Sequence, residues 1–175
     1  MCKENNNSTH PLLPSLREFL LQDATLCLQK VRVEKFQGSG NGGQKRNRVY
    51  SGVRVYATEW GMQVSCCTHR EALKNQQEAI FLLKKKLAIA FRHPAPQSVA
   101  FPGNNGHLNP RNPIYFWWIK QALDIMYECN WNPAQAGPRL HISSSRLVRL
   151  LFGDKEIKTL IQKQRQELGA HPLKD

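Results

Sequence analysis

Apolar and polar positions alternate in three short stretches of the first half of the chain. They are Val31 and Val33 running on to Phe36, then Val53 and Val55 within 49–57, then Met62, Val64 and Cys66. A period of two predicts strands. Glu59-Trp60-Gly61 between the second and third stretches predicts a turn, hence a hairpin. Helical spacing flanks these strands. Leu16, Phe19 and Leu20 share a face behind Ser15 and Glu18, which have the spacing of a capping box and predict a short helix from near Leu16. Thr68 and Glu71 repeat that spacing ahead of a long helix over 70–91. Its expected inner face is Leu73, Ile80, Leu83, Leu87 and Ala90, with Lys84, Lys85 and Lys86 fanned around the outer side.

The pattern then changes. Residues 93–113 hold five of the ten prolines and an Asn-Asn-Gly, which predicts a linker or a draped loop. From 114 onward the spacing is helical. A Trp-rich helix is expected over 114–129, a short one capped by Asn132 with Pro133 first in the helix, a third capped by Ser143 through Phe152, and a fourth over 154–168. The fold class read from this order is α+β: a small sheet domain packed with a long helix over 15–92, the 93–113 connection, and a helical module over 114–175. Residues 1–14 are polar, Asn-rich and expected to be disordered.

Charge narrows the function. Residues 31–92 carry 12 basic and 4 acidic side chains and residues 139–175 carry 8 and 4, whereas 1–30 and 93–138 are balanced. An excess of +12 gathered into two blocks points to a polyanion, nucleic acid foremost, over a merely solvated surface. No apolar run approaches the roughly 20 residues of a membrane span, and the first ten residues lack the apolar core of a secretory signal. Five cysteines without a CxxC pair argue against a disulfide framework or a zinc site and suit a reducing cytoplasm. The histidines, at 10, 69, 93, 107, 141 and 171, form no HxxxH pair, so no metal and no organic cofactor is expected.

The Gly-rich segment Gly38-Ser39-Gly40-Asn41-Gly42-Gly43 spells GxGxxG after a strand. A dinucleotide site would need that motif to open a crossover helix of a dozen residues or so. Only Gln44 to Arg48 stand before Val49, and three of those five are cations. The alternative centres on Gly42-Gly43-Gln44. Two adjacent glycines open backbone conformations closed to other residues, so that the following amide can approach a ligand closely. Lys45, Arg46 and Arg48 are placed to hold phosphates. With no acid, base or nucleophile beside it, such a loop catalyses only by positioning and by stabilising an oxyanion on a substrate activated elsewhere. A hairpin tip that merely touches RNA fits the same residues.

Residues 23–80 resemble the catalytic domain of class I peptide chain release factors. The resemblance rests on the strand Val31-Arg32-Val33-Glu34-Lys35-Phe36, the loop Ser39-Gly40-Asn41-Gly42-Gly43-Gln44 with Asn47 three residues on, the strand Gly52-Val53-Arg54-Val55, and the helix from Arg70 with Asn75. It differs in having Asn41 where Pro or Ala is usual, Lys45-Arg46 for His-Val, and Arg48 for Thr. The resemblance implies a loop that enters the peptidyl-transferase centre and promotes hydrolysis of the ester joining peptide to tRNA. Gln44 would place the water with its side chain and stabilise transition-state charge with its backbone N–H, Gly42 and Gly43 would set its backbone, and N-methylation of Gln44 is a possible modification. With 22 residues ahead of Asp23, neither a stop-codon-reading domain nor a long helical N-terminal domain is expected. The chain therefore resembles the stand-alone, ribosome-rescue members most.

The expected function is codon-independent peptidyl-tRNA hydrolysis by a cytoplasmic monomer, its partners being the ribosome, ribosomal RNA and peptidyl-tRNA. Docking on RNA is expected from Lys45, Arg46, Arg48, Arg70, Lys84, Lys85 and Lys86. A second set, Arg146, Arg149, Lys155, Lys158, Lys163 and Arg165, is expected to join them, the last four with Lys174 serving as a tail in the mRNA channel. Two alternatives remain open. One is a ribosome- or RNA-binding protein without hydrolysis. The other is a DNA-binding regulator, because Ala136, Leu140-His141-Ile142-Ser143, Leu147 and Arg149 have helix-turn-helix spacing, though plain core packing fits them better. Trp117, Trp118 and Trp131 are expected as core rather than as base-stacking platforms.

Overall fold

The computed structural model describes residues 13–37, 50–104 and 106–174. The chain divides into two compact units, one of residues 18–90 and one of residues 91–175 with 1–17. Of the segment 1–14, expected to be disordered, residues 1–12 lie outside the described residues, whereas Leu13 and Pro14 are ordered as the first turn of a helix.

In the 18–90 unit the three alternating stretches are three strands, β1 (Arg32–Phe36), β2 (Gly52–Ala57) and β3 (Met62–Cys66). They form one antiparallel sheet with β2 in the middle. The register aligns Val33, Val55 and Val64 across the sheet, and Lys35, Val53 and Cys66 beside them. Alternation puts Val53, Val55 and Ala57 on one side, where all three are buried. That side is covered by a long helix, α3 (Ala72–Ala90), which packs on β2 and β3. The predicted hairpin turn is a short 3-10 segment, Thr58–Trp60, closed by Gly61 at φ 62°. This left-handed conformation costs a residue with a Cβ about 1–2 kcal/mol. Trp60 turns inward and its ring meets Phe19 at 5.0 Å.

Two helix starts differ from the capping-box expectation. The first helix, α1 (Leu13–Leu21), begins ahead of Ser15, so Ser15 sits inside it. Pro14 is tolerated there because first-turn N–H groups have no intrahelical partner in any case. Its expected face is correct, with Leu16, Phe19 and Leu20 buried. α3 begins at Ala72, and Thr68 turns back to Cys66 Sγ at 3.6 Å instead of capping it. A further helix, α2 (Ala24–Gln29), was not anticipated; Asp23 caps it by accepting Leu26 N–H at 2.9 Å.

The inner face of α3 is also corrected. Ile80, Leu83 and Leu87 are buried as expected, but Leu73 is exposed in the first turn and Ala90 in the last. The rest of the inward stripe is Asn75, Ala79, Lys84 and Ala88. Two polar side chains can face inward here because each finds hydrogen-bonding partners within the domain.

The second unit is helical: α4 (Tyr115–Glu128), α5 (Pro133–Arg139), α6 (Ser144–Phe152) and α7 (Lys155–Glu167). The Asn132 and Ser143 caps follow the sequence reading, whereas Asp154, expected as the first residue of the last helix, is its cap. Asn132 accepts Ala134 N–H, Ser143 accepts Arg146 N–H, and Asp154 accepts from Glu156 and Ile157. Trp118 and Trp131 are buried. Trp117 is half-buried beneath the guanidinium of Arg17, 5.7 Å from the ring centre. Residues 140–143 make a short turn between α5 and α6, with His141 at φ 54°.

Residues 92–99 are draped on this helical unit. Arg139 donates to Pro96 O at 2.8 Å and to Gln97 O at 3.0 Å, and its own carbonyl accepts Val99 N–H at 2.8 Å. Ala95 N–H reaches Glu128 at 2.7 Å, and Arg139 pairs with the same carboxylate at 2.8 Å. Deeper in, Asp124 takes Arg92 at 3.0 Å, His93 N–H at 3.3 Å and the Lys120 ammonium. Lys120 is fully buried and Asp124 nearly so. Burial pushes the Lys120 ammonium down and the Asp124 carboxyl up from their ordinary ranges, and their mutual attraction opposes both shifts.

Two stability predictions follow from this packing. A Cβ on Gly52 would lie 2.8 Å from the Phe36 carbonyl and 2.9 Å from its ring. Gly52→Ala is therefore expected to lower the unfolding free energy by about 1–3 kcal/mol in urea denaturation. Asp124→Ala leaves the Lys120 charge buried without its partner and is expected to cost about 3–5 kcal/mol. The double variant Lys120→Met/Asp124→Leu should recover most of that loss in the same measurement.

Candidate functional site

The expected catalytic triplet Gly42, Gly43 and Gln44, and the adjacent cations Lys45, Arg46 and Arg48, lie outside the described residues. What the structure does describe is the stem on which they are carried. Phe36, at the end of β1, pairs with Gly52, at the start of β2, and this is the outermost pair of the β1–β2 ladder. Because Gly52 has no side chain, the Phe36 ring can lie against it. The Arg54 guanidinium also lies over that ring, 5.3 Å from its centre.

Arg54 is itself held, through Nε to Ser65 Oγ at 3.1 Å and through Nη1 to the Tyr56 hydroxyl at 3.4 Å. Tyr56 donates to Glu34 at 2.8 Å, and Arg32 sits over the Tyr56 ring at 5.6 Å. The solvent-facing side of the sheet is thus a connected network of arginines, aromatic rings and one carboxylate.

The opposite anchor is Asn75, which is fully buried. Its Nδ2 donates to Ser51 O at 2.7 Å and to His69 O at 2.8 Å. Its Oδ1 accepts His69 N–H at 2.8 Å and the Cys66 thiol at 3.5 Å. One side chain therefore links the start of α3, the end of β3 and the residue that precedes β2. Tyr50, next to Ser51, is 62% exposed, so the pinned and the solvent-facing parts of the chain meet within one residue.

The expected docking cations divide by environment. Arg70 is exposed at the approach to α3. Of the three consecutive lysines, Lys86 is exposed and touches Gln63 O at 3.3 Å, and Lys85 is half-buried. Lys84 is not on the outer side: it is buried, and its ammonium donates to Leu20 O at 3.2 Å and to Gln22 O. These carbonyls belong to the end of α1 and its exit, where a cation suits both the unpaired C=O groups and the negative end of the helix dipole. Burial pushes the Lys84 ammonium down and the neighbouring Cys27 thiol up. A buried lysine with these partners cannot reach RNA, and Lys84 leaves the docking set.

In the helical unit, Arg146 and Arg149 are exposed on α6, opposite the buried Leu147, Val148 and Leu151. Lys155 and Lys163 are exposed on α7, with Lys163 3.9 Å from Glu167. Lys158 lies over the Phe152 ring at 5.2 Å. Arg165 is engaged within the fold, donating to Trp131 O at 2.7 Å and twice to His171 O, at 3.0 and 2.7 Å. Lys174 is exposed. α7 packs through Ile157 and Ile161, both buried.

Among the described residues no group of three or more His, Cys, Asp and Glu is placed to hold a metal ion. None of the described helices is long and apolar enough to cross a membrane.

Sequence reasoning missed the Phe36–Gly52–Arg54 stack and the roles of Asn75 and Lys84. For Asn75 a signal was present. Asn75, Ala79, Leu83 and Leu87 recur every four residues, so a polar residue stood on a core stripe, which asks for a buried partner.

Part of the chain is similar to known proteins. The RF-1 domain family matches residues 22–100. Peptide chain release factor 1 of Alkaliphilus oremlandii is 40% identical over 65 residues, 37% of this chain and 18% of that protein. Peptide chain release factor 1 of Thermus thermophilus is 32% identical over 82 residues, 47% of this chain and 22% of that protein. Peptide chain release factor 2 of an Exiguobacterium species is 39% identical over 59 residues, 34% of this chain and 16% of that protein. The chain thus spans about a fifth of the length of these curated relatives.

The buried lysine carries a prediction of its own. Lys84→Met removes the partner of two carbonyls and is expected to lower stability by about 1–3 kcal/mol in urea denaturation.

Proposed function

We propose, from the release-factor-type RF-1 domain that residues 22–100 form, that this protein hydrolyses the peptidyl-tRNA ester on the ribosome and does so independently of a codon. The observation that carries the reading is the place of Gly42-Gly43-Gln44. In sequence the triplet falls between β1 and β2, inside the matched region, and the flanking strands are paired at Phe36 and Gly52.

In the reaction, water adds to the ester carbonyl carbon. The bond to the tRNA 3′ oxygen breaks, and that oxygen leaves with a proton. No residue of a charged acid–base pair is needed from this loop if Gln44 holds the water with its side-chain amide and directs its backbone N–H at the developing oxyanion. Two preceding glycines give that N–H the freedom to approach. Lys45, Arg46 and Arg48 then serve as phosphate contacts, supplying affinity that weakens as salt rises.

The codon-independent part draws on the helical unit. Its exposed cations, Arg146, Arg149, Lys155 and Lys163, and Lys158 over Phe152, are its proposed contacts with ribosomal RNA or an unoccupied mRNA channel. In the 18–90 unit, Arg70, Lys85 and Lys86 serve the same end. The site of action is cytoplasmic, the protein works as a monomer, and Gln44 is a candidate for N-methylation.

The test is release of peptide from ribosomes carrying peptidyl-tRNA, with truncated mRNA in one arm and a stop codon in the A site in the other. Wild type is expected to release peptide in both arms. Gln44→Ala and Gly43→Ala should each lose about 100-fold or more, the scale of removing an oxyanion donor, with the melting temperature unchanged. Ribosome binding without release by wild type would instead identify an RNA-binding protein. Release confined to the stop-codon arm would return the protein to codon reading.

A further inference from the structure

We infer that Asn75 is a positioning residue for the loop that carries Gln44. This rests on the reading of residues 42–44 as the hydrolytic element.

The argument begins with hydrogen-bonding capacity. A carboxamide has two N–H donors and an oxygen with two lone pairs. All four are used on Asn75, by Ser51 O, His69 O, His69 N–H and the Cys66 thiol. A residue needed only to start α3 would be served by the two His69 contacts. The bond to Ser51 O does something else: it crosses 24 residues of sequence to the backbone at the exit of the 38–49 segment. At 2.7 Å and fully buried, it is sheltered from exchange with water.

The geometry of the stem makes that contact matter. Among the described residues, Phe36 and Gly52 are the last pair of the ladder before the segment. On the solvent side the pair is held by Arg54 over the Phe36 ring. On the other strand's approach, Ser51 is held by Asn75. Asn75 therefore fixes the direction in which the chain leaves β2 toward Gln44. It touches neither substrate nor the reacting atoms and acts through the backbone of Ser51. A glutamine positioned by such a stem loses rate, not affinity, when the stem loosens, because displacement of about 1 Å costs far more in chemistry than in docking.

Asn75→Asp is the informative variant. It keeps the acceptor for His69 N–H, loses both donors, and sets a carboxylate oxygen against two carbonyls. Asn75→Gln keeps the amide on a longer arm and serves where Asn75→Asp does not fold. Leu87→Ala, buried in the same helix three turns away, is the control for destabilisation alone.

Each protein is studied well below its own melting midpoint, with circular dichroism confirming the fold. Single-turnover release at saturating protein, the half-saturating concentration, and hydrogen exchange of peptides covering 31–37 and 50–57 are measured. The Asn75 variants are expected to lose about tenfold or more in saturating rate with half-saturation within about twofold. Exchange should accelerate over 50–57 and not over α7. Leu87→Ala should keep the wild-type saturating rate. The inference is overturned if folded Asn75 variants retain wild-type exchange over 50–57, if they release at the wild-type rate, or if Leu87→Ala reproduces their loss. Wild type that releases nothing, while exchange over 50–57 still answers to Asn75, overturns the hydrolase reading and with it any catalytic part for Asn75, leaving the pin a matter of fold.

Discussion

The strand β2 is what the 18–90 unit is built around. It is the only described strand paired on both edges, and its inward side chains, Val53, Val55 and Ala57, are closed off from water by α3. A strand so buried must account for every backbone polar group near it. The carbonyl of Ser51 lies just before the described ladder begins. It is met by Asn75 from α3, and the helix is locked to the sheet in the act. Packing of apolar surface and satisfaction of one carbonyl are thus the same constraint seen from two sides.

That constraint explains which parts of the structure were legible in advance. Period-two alternation at Val53 and Val55, and at Met62 and Val64, gave the hairpin, since alternation reports directly which side of a strand is buried. The caps Asn132 and Ser143 were legible because a cap is a local device, decided by a side chain and an N–H two or three residues away. Ser15 and Thr68 have the same local spacing and do not cap, since α1 runs through Ser15 and Thr68 is drawn to Cys66. α2 escaped notice because six residues carry too little periodicity. The hardest to see were Asn75 and Lys84, whose partners lie 24 and 62 or 64 residues away in sequence. Periodicity reports that such a residue faces inward, but not whom it meets there.

At the candidate site, the motif stands out in the sequence and the strand ends that flank it do not. Gly42-Gly43-Gln44 is conspicuous in the sequence because two glycines and an amide among cations have few uses. The stem beneath them is ordinary in composition: a phenylalanine, a glycine, an arginine and an asparagine. Only the fold brings them together, with the ring of Phe36 against Gly52 and the Arg54 guanidinium over it. The docking cations show the same limit. Lys84, Lys85 and Lys86 are identical as letters, yet one is buried at the end of a helix, one half-buried and one free to meet solvent.

The charged cluster around Asp124 bears on how the chain is assembled. Arg92 precedes Lys120 and Asp124 in sequence, so during synthesis the guanidinium has emerged before the carboxylate that receives it. Lys120 and Asp124 are one helical turn apart and can meet as soon as α4 coils. The aspartate therefore need never enter a dry interior alone: one cation travels with it and the other is already waiting. A helix so furnished can dock late, after its own turn has neutralised what would otherwise bar its way.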